Sequence, residues 1–277
     1  VPDDVRVIAM PVGGGFGAKS HIKIEGLAAC LSWKASGLPV KLMLTRAETF
    51  VQITKHAAEI TLKTGIKQDG TLVARQAEIY WNAGAYSDTS PIVAKNGAVT
   101  CFGPYRIPHA LSKSYAVYTN SPPAGSYRGP AVLEVTWAGE SQMDIISKAI
   151  GMDPLEFRKN NILVDGDIFV TGETMHDLHY EALMASAASK IGWEEAGEGD
   201  NNSKTGFGVA LTIKSTTTPS TSKALVRLET SGLCSLLVST VDLGQGSSVA
   251  LSQIAADALG IPIQQIRVVN PDTDVTP

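Results

Sequence analysis

Apolar and polar residues follow two periods along this chain, and the switches between them mark its elements. Val5-Arg6-Val7-Ile8-Ala9-Met10 has the short apolar run of a strand. A glycine turn follows. Residues 20–35 then place Ile24, Leu27, Ala28 and Leu31 on one helical face. Gly37 and Pro39 end that helix, and residues 40–44 predict a second strand. Alternation then takes over. Residues 56–66 and 71–86 read as strands joined by Lys67-Gln68-Asp69-Gly70, whose Asp-Gly pair signals a hairpin. Residues 111–119 predict another strand, and Asn120-Ser121-Pro122-Pro123-Ala124-Gly125 is a loop. Helices are predicted over 132–150, 154–160 and 180–191, with Asp153 as N-cap and Pro154 in the first turn of the second. Residues 163–175 read as an excursion loop. Beyond them, 207–213, 224–229, 233–240 and 266–269 predict strands, and 247–259 a helix opened by Gly244-Gln245-Gly246.

Residues 5–44 and 234–269 share one plan: strand, glycine turn, helix ending in Gly, Pro two residues later, strand. Gly37-Leu38-Pro39 and Gly260-Ile261-Pro262 match in position. This is either an internal pseudo-repeat or the coincidence of two common units. The expected fold is α+β, with mixed sheets, long antiparallel hairpins and helices packed on them. The acidic, Gly/Asn-rich stretch 194–205 is expected to link a first region, 1–193, to the start of a second, 206–277.

Composition narrows the class. A 44% hydrophobic, 18% charged chain is ordinary globular protein. The net charge of −4, with no Lys/Arg run, gives no electrostatic footprint for nucleic acid or an anionic membrane. No apolar run is long enough to span a bilayer, and no signal peptide opens the chain, so a cytoplasmic location is expected. Val1 lies so close to the first strand-like run that the chain reads as a fragment or a processed product. Cys30, Cys101 and Cys234 lie far apart without a C-x-x-C; they read as free, buried thiols rather than iron–sulfur or zinc ligands. His176 with His179, and Asp272 with Asp274, lack the further ligands a metal site requires.

Three turns could carry chemistry. Gly13-Gly14-Gly15-Phe16-Gly17 leaves backbone N–H groups near a helix start and lets a ligand approach closely. Its Gly13-x-Gly15-x-x-Ala18 spacing satisfies the dinucleotide fingerprint. A Rossmann sheet would continue through alternating strands and helices, whereas here a β hairpin follows. Gly244-Gln245-Gly246-Ser247-Ser248 opens a helix; its serines either cap that helix or bind a phosphate or pterin. Ser126-Tyr127-Arg128-Gly129-Pro130 offers either an oxyanion clamp or a solvated turn.

In order along the chain, Val12-Gly13-Gly14-Gly15-Phe16-Gly17-Ala18-Lys19, Pro39-Val40-Lys41-Leu42 leading to Arg46, Asn82-Ala83-Gly84-Ala85-Tyr86 and Gly103-Pro104-Tyr105-Arg106-Ile107-Pro108 are followed by the Arg128-Gly129 turn. Gly151-Met152-Asp153-Pro154-Leu155-Glu156-Phe157-Arg158, Gly244-Gln245-Gly246 and Asp272-Thr273-Asp274 complete the set. Together they resemble the molybdenum hydroxylases (xanthine dehydrogenase, aldehyde oxidase, the aerobic carbon monoxide dehydrogenase large subunit), in the middle portion of the molybdopterin-binding subunit.

The resemblance implies roles. Gly14, Gly15, Phe16, Gly17 and Arg128 border the molybdenum ligands, and Gly244, Gln245, Gly246, Ser247 and Ser248 bind the pterin, in a cytosine dinucleotide form. Phe16, Ser20, Asn96, Lys214 and Ser215 fall in the substrate pocket. The implied reaction hydroxylates an electron-poor carbon with water oxygen, and electrons leave through iron–sulfur clusters and FAD on partner domains or subunits. Purine oxidases of the family carry a glutamate where Ser20 stands and an arginine where Asn96 aligns, which argues against xanthine. Carbon monoxide dehydrogenase carries a cysteine where Gly129 stands, so its copper bridge has no ligand here. An aldehyde or N-heteroaromatic substrate remains. The family's general base, a glutamate in a Gly-x-Gly-Glu motif, falls downstream of this chain. The expected partners are the remaining half of the molybdopterin subunit, an iron–sulfur subunit and a flavin subunit, and the chain alone is expected to be inactive. The alternative is a structural or assembly fragment without cofactor.

Overall fold

The computed structural model describes residues 4–193, 206–214 and 221–277. They form two compact units. One is His21–Ser215; the other joins Val1–Ser20 to Thr216–Pro277. This differs from a linear division at 194–205, a stretch that lies outside the described residues. The regrouping follows from hydrogen bonding. Ala9 donates to the Pro271 carbonyl at 2.9 Å and Thr273 to that of Val7 at 3.1 Å, and Arg6 grips Asp272 with two bonds of 3.0 and 2.6 Å. Residues 206–214 instead bond into the larger unit: the Leu211 N–H donates to Glu140 at 3.0 Å.

In the larger unit, β1 (Ala58–Ile66) and β2 (Leu72–Gly84) form the expected antiparallel hairpin. Gly70, at φ +84°, closes its turn, and the Asp69 carboxylate accepts the Thr71 N–H at 2.9 Å. β3 (His109–Tyr118) runs parallel to β2, giving the order β1-β2-β3. Helices α1 (Glu25–Lys34), α2 (Arg46–Gln52), α3 (Ser90–Thr100), α4 (Val132–Ala149), α5 (Pro154–Asn161) and α6 (Tyr180–Ile191) complete the unit. Its core gathers Ile79, Trp81, Val93, Val135, Met143 and Phe157. Asp153 caps α5 as expected, accepting from Leu155 and Glu156 at 2.8 and 3.0 Å. The side chains of Glu140 (α4) and Arg158 (α5) lie buried in an ion pair.

The smaller unit holds β4 (Ala224–Leu228), β5 (Cys234–Val238) and β6 (Ile266–Val269), ordered β4-β5-β6, with α7 (Ser247–Leu259) between β5 and β6. β5 is buried along its whole length and pairs parallel with β6, so β5-α7-β6 is a crossover unit.

Several expectations are corrected. Residues 5–10 make one isolated bridge, Ile8 to Asp272, and 40–44 and 207–213 form no strand. Each is an extended apolar run without a ladder partner among the described residues. The second glycine-turn unit therefore forms and the first does not; its glycines and its helix fall in different compact units, so the pseudo-repeat fails. The first helix begins at Glu25, five residues late, and buries none of its residues, leaving Leu27 and Leu31 exposed. It ends in a Schellman motif with Ser36, at φ +58°, ahead of Gly37. α2 and α3 were not anticipated. Cys101 and Cys234 are buried and free, but Cys30 is exposed.

Candidate functional site

In the smaller unit the two glycine turns meet. Gly15 is buried, and a Cβ built there would lie 3.1 Å from the Leu243 side chain. Glycine at 15 thus lets the first turn seat against the second. Gly14 and Gly17 take φ values of +102° and +99°, and Phe16 itself sits at +53°. That conformation turns the Phe16 ring outward, 62% exposed, across Gly14. Ser20 closes the turn by donating its hydroxyl to the Gly17 carbonyl at 2.6 Å.

The second turn is held by a residue that the motif reading did not single out. Asp242 accepts the Gly244 N–H at 2.8 Å and the Ser248 N–H at 3.1 Å, and these backbone donors hold its carboxyl below the usual range. The N-cap of α7 is Gly246, at φ +77°, with no side-chain cap, so neither Ser247 nor Ser248 caps the helix. Gln245 folds over the turn: its Oε1 accepts from Leu243 at 2.6 Å, and its Nε2 donates to Val241 at 3.1 Å and to the Ser247 hydroxyl at 3.2 Å. An Asp two residues ahead of a glycine is an Asx-turn signal, so Asp242 was legible.

A planar, many-oxygen group fits these turns. Open space surrounds Gly13, Gly244 and Gly246, where an added Cβ would meet nothing within 4 Å. Backbone can therefore come within hydrogen-bond reach of a flat ligand, with the Phe16 ring beside it.

The remaining expected residues belong to the larger unit, except Ser215, which lies outside the described residues. Arg128 and Lys214 are exposed, and Asn96 is half-buried on α3. Arg128 stands directly ahead of a tight passage that runs from Gly129, at φ +70°, to Ala131, at φ +67°, the N-cap position of α4. The preceding loop is packed hard: a Cβ on Gly84 would lie 2.1 Å from the Pro122 carbonyl oxygen, and one on Gly125 would lie 2.2 Å from Ile53. Around it stand Lys55, 3.1 Å from Glu134, and the buried pair His56 and Ser90, 2.8 Å apart. Burial lowers the proton affinity of His56, against the nearby carboxylates of Glu134 and Asp88.

Comparisons place this geometry. Residues 1–162 and 184–277 match two molybdopterin cofactor-binding domains. A putative xanthine dehydrogenase molybdenum-binding subunit of Escherichia coli is 34% identical, covering 99% of this chain and 38% of its own length. The nicotinate dehydrogenase large molybdopterin subunit of Eubacterium barkeri is 36% identical over 62% of this chain and 41% of its own length. The aldehyde oxidoreductase structure from Desulfovibrio desulfuricans superposes with a TM-score of 0.91 at 25% identity, over all of this chain and 31% of that one. The chain thus spans about two fifths, or less, of these relatives.

Proposed function

Because this chain belongs to the molybdopterin cofactor-binding family, we propose that it forms the cofactor-facing part of a multi-component hydroxylase acting on an aldehyde or an N-heteroaromatic compound. The observation that carries this reading is the seating of Gly15 on Leu243, which joins two open glycine turns in one unit.

The roles follow from chemistry. Gly14, Gly15 and Gly17 give backbone approach, and the Phe16 ring supplies an apolar wall for a flat substrate. Gly244, Gln245, Gly246, Ser247 and Ser248 hold the pterin dinucleotide, of the cytosine form. Gln245 contributes an exposed carboxamide whose present bonds are to its own turn and can be exchanged for ligand bonds. Arg128 contributes a guanidinium fork for an oxyanion. Ser20, Asn96, Lys214 and Ser215 are the substrate-side residues in this reading, and Ser20 offers a hydroxyl rather than a charge, which disfavours xanthine. Bound, the molybdenum–pterin group supplies two-electron oxidation with oxygen drawn from water. The proton-accepting glutamate comes from the downstream part of the subunit, and iron–sulfur and FAD partners carry electrons away in the cytoplasm. Among the described residues, no helix is long and apolar enough to cross a membrane.

A second reading, a structural part that binds no cofactor, draws on Asp242, whose carboxylate already takes the Gly244 and Ser248 amides. Metal and pterin analysis of the complete subunit with its partners separates the two; an absence of both molybdenum and pterin would sink the first. In the loaded enzyme, Arg128→Ala is expected to lower kcat/KM at least tenfold, about 1.4 kcal/mol, with little change in Tm. Parallel losses of Tm and activity would make the arginine structural. Robust xanthine turnover would overturn the Ser20 assignment.

A further inference from the structure

We propose that His56 and Ser90 form a positioning pair that sets the Arg128 loop, an inference that rests on the role given to Arg128 above. Ser90 opens α3 and is 1% exposed; His56 precedes β1 and is 5% exposed. Their Nε2 and Oγ atoms are 2.8 Å apart. The Trp81 ring packs against the imidazole in a T-shaped arrangement, with centroids 6.3 Å apart and planes at 86°.

Both partners lead to the same loop. The Ser90 hydroxyl lies 3.4 Å from the Ala124 carbonyl oxygen, and His56 shares a backbone hydrogen bond with Gly125. A neutral imidazole has one donor and one acceptor: it donates to the Gly125 carbonyl and takes the Ser90 hydroxyl proton at Nε2, so Ser90 meets the Ala124 carbonyl as a 3.4 Å packing contact. Burial favours that neutral form. The neighbours of His56 brace the loop as well. Thr54 donates to Pro123 at 2.9 Å and accepts from Gly125 at 3.0 Å. Lys55 lies 5.3 Å from the Tyr127 ring centroid, next to Arg128. Ser126 donates to Thr89, beside Ser90, at 3.2 Å. A histidine that only filled core would need any two polar partners. Here both lines of contact converge on consecutive loop residues, three and four positions ahead of the arginine.

The test uses the complete, cofactor-loaded subunit in its complex, with His56→Ala, His56→Gln, Ser90→Ala and Arg128→Ala. In His56→Ala, amide exchange over residues 120–131 is expected to rise about tenfold or more, as expected for lost buried hydrogen bonds. Molybdenum and pterin content should stay at the wild-type level. kcat should fall about tenfold with KM little changed, as for a transition-state contact loosened by misplacement. His56→Gln, which keeps a donor and an acceptor, should recover part of the loss. In an Arg128→Ala background, His56→Ala should cost nothing further. Unchanged exchange in that loop, or effects that add, would overturn the proposal. If His56→Ala does not fold, Ser90→Ala carries the same measurements. A wild-type complex without molybdenum or pterin would instead defeat the role of Arg128, while the exchange data would still report on the brace.

Discussion

Replacing Glu140 with alanine removes the centre of a buried polar network in the larger unit. Glu140 Oε2 accepts from Arg158 Nε at 2.9 Å and from the Leu211 N–H at 3.0 Å, and its Oε1 accepts the Tyr105 hydroxyl at 2.8 Å. Arg158 is wholly buried. Burial, the largest single effect, opposes its charge, and Glu140 together with Tyr105 and Asp144 outweighs it and keeps the pKa raised. Without Glu140, Arg158 keeps Asp144, half exposed at 2.8 Å, and the carbonyls of Pro154 and residue 140. That residual shell moderates the loss, so the cost sits near the roughly 3–5 kcal/mol of a broken buried pair. In a unit of this size it corresponds to a fall of about 6–20 °C in Tm. Scanning calorimetry of the full subunit reads this directly, with Tyr105→Phe as a milder companion that removes one charge-assisted bond, roughly 1.5–3 kcal/mol. Glu140→Ala should also free the segment that ends at Lys214, because Leu211 loses its anchor. A Tm within a degree of wild type would refute the network's structural role.

Two further outcomes follow from the geometry. Gly84→Ala places a methyl 2.1 Å from the Pro122 carbonyl oxygen, at φ +72°; it should destabilise by more than about 2 kcal/mol in urea titration, with the exchange of residues 119–126 rising first. His56 has a lowered folded-state pKa, so the unfolded chain takes up its proton first. Its contribution is therefore complete above about pH 6.5 and is lost as pH falls from there through the lowered folded value. The wild type should lose Tm over that window more steeply than His56→Gln, and parallel slopes would disprove the assignment.

The legible elements were those whose cause is local. Asp69-Gly70 and the flanking alternation marked the first hairpin. Asp153-Pro154 marked the start of α5. The apolar spacing of residues 180–191 and 247–259 marked α6 and α7 to the residue. Residues 5–10, 40–44 and 207–213 have strand composition, but a strand needs a neighbour that composition cannot supply. α3 was missed because Pro91, Asn96 and Gly97 weaken a helical signal. Pro91 sits in the first turn, where proline is tolerated, and Gly97 is small because Trp81 lies where a Cβ would go, 2.4 Å away. The glycine turns and the Arg128 loop were visible as motifs. The brace behind that loop was not, since His56, Ser90 and Ala124 are distant in sequence. Their link depends on how β2, α3 and the proline loop pack.

The grip of Arg6 on Asp272 spans 266 positions. Closing so long a flexible loop costs roughly 5 kcal/mol by (3/2)RT ln n scaling. The smaller unit therefore cannot close until residue 272 has been made, after the inserted larger unit. Gly15 has no Leu243 to seat against, and Arg6 no Asp272 to grip, until the segment that carries them has been synthesised. The inserted unit can fold in the meantime and turn a long, floppy tether into a compact body. Two turns that meet only once both segments exist cannot trap a cofactor earlier, so loading waits for the second segment. Damage to Arg6 should therefore surface as a defect in maturation, with cofactor left unloaded, before any defect in turnover.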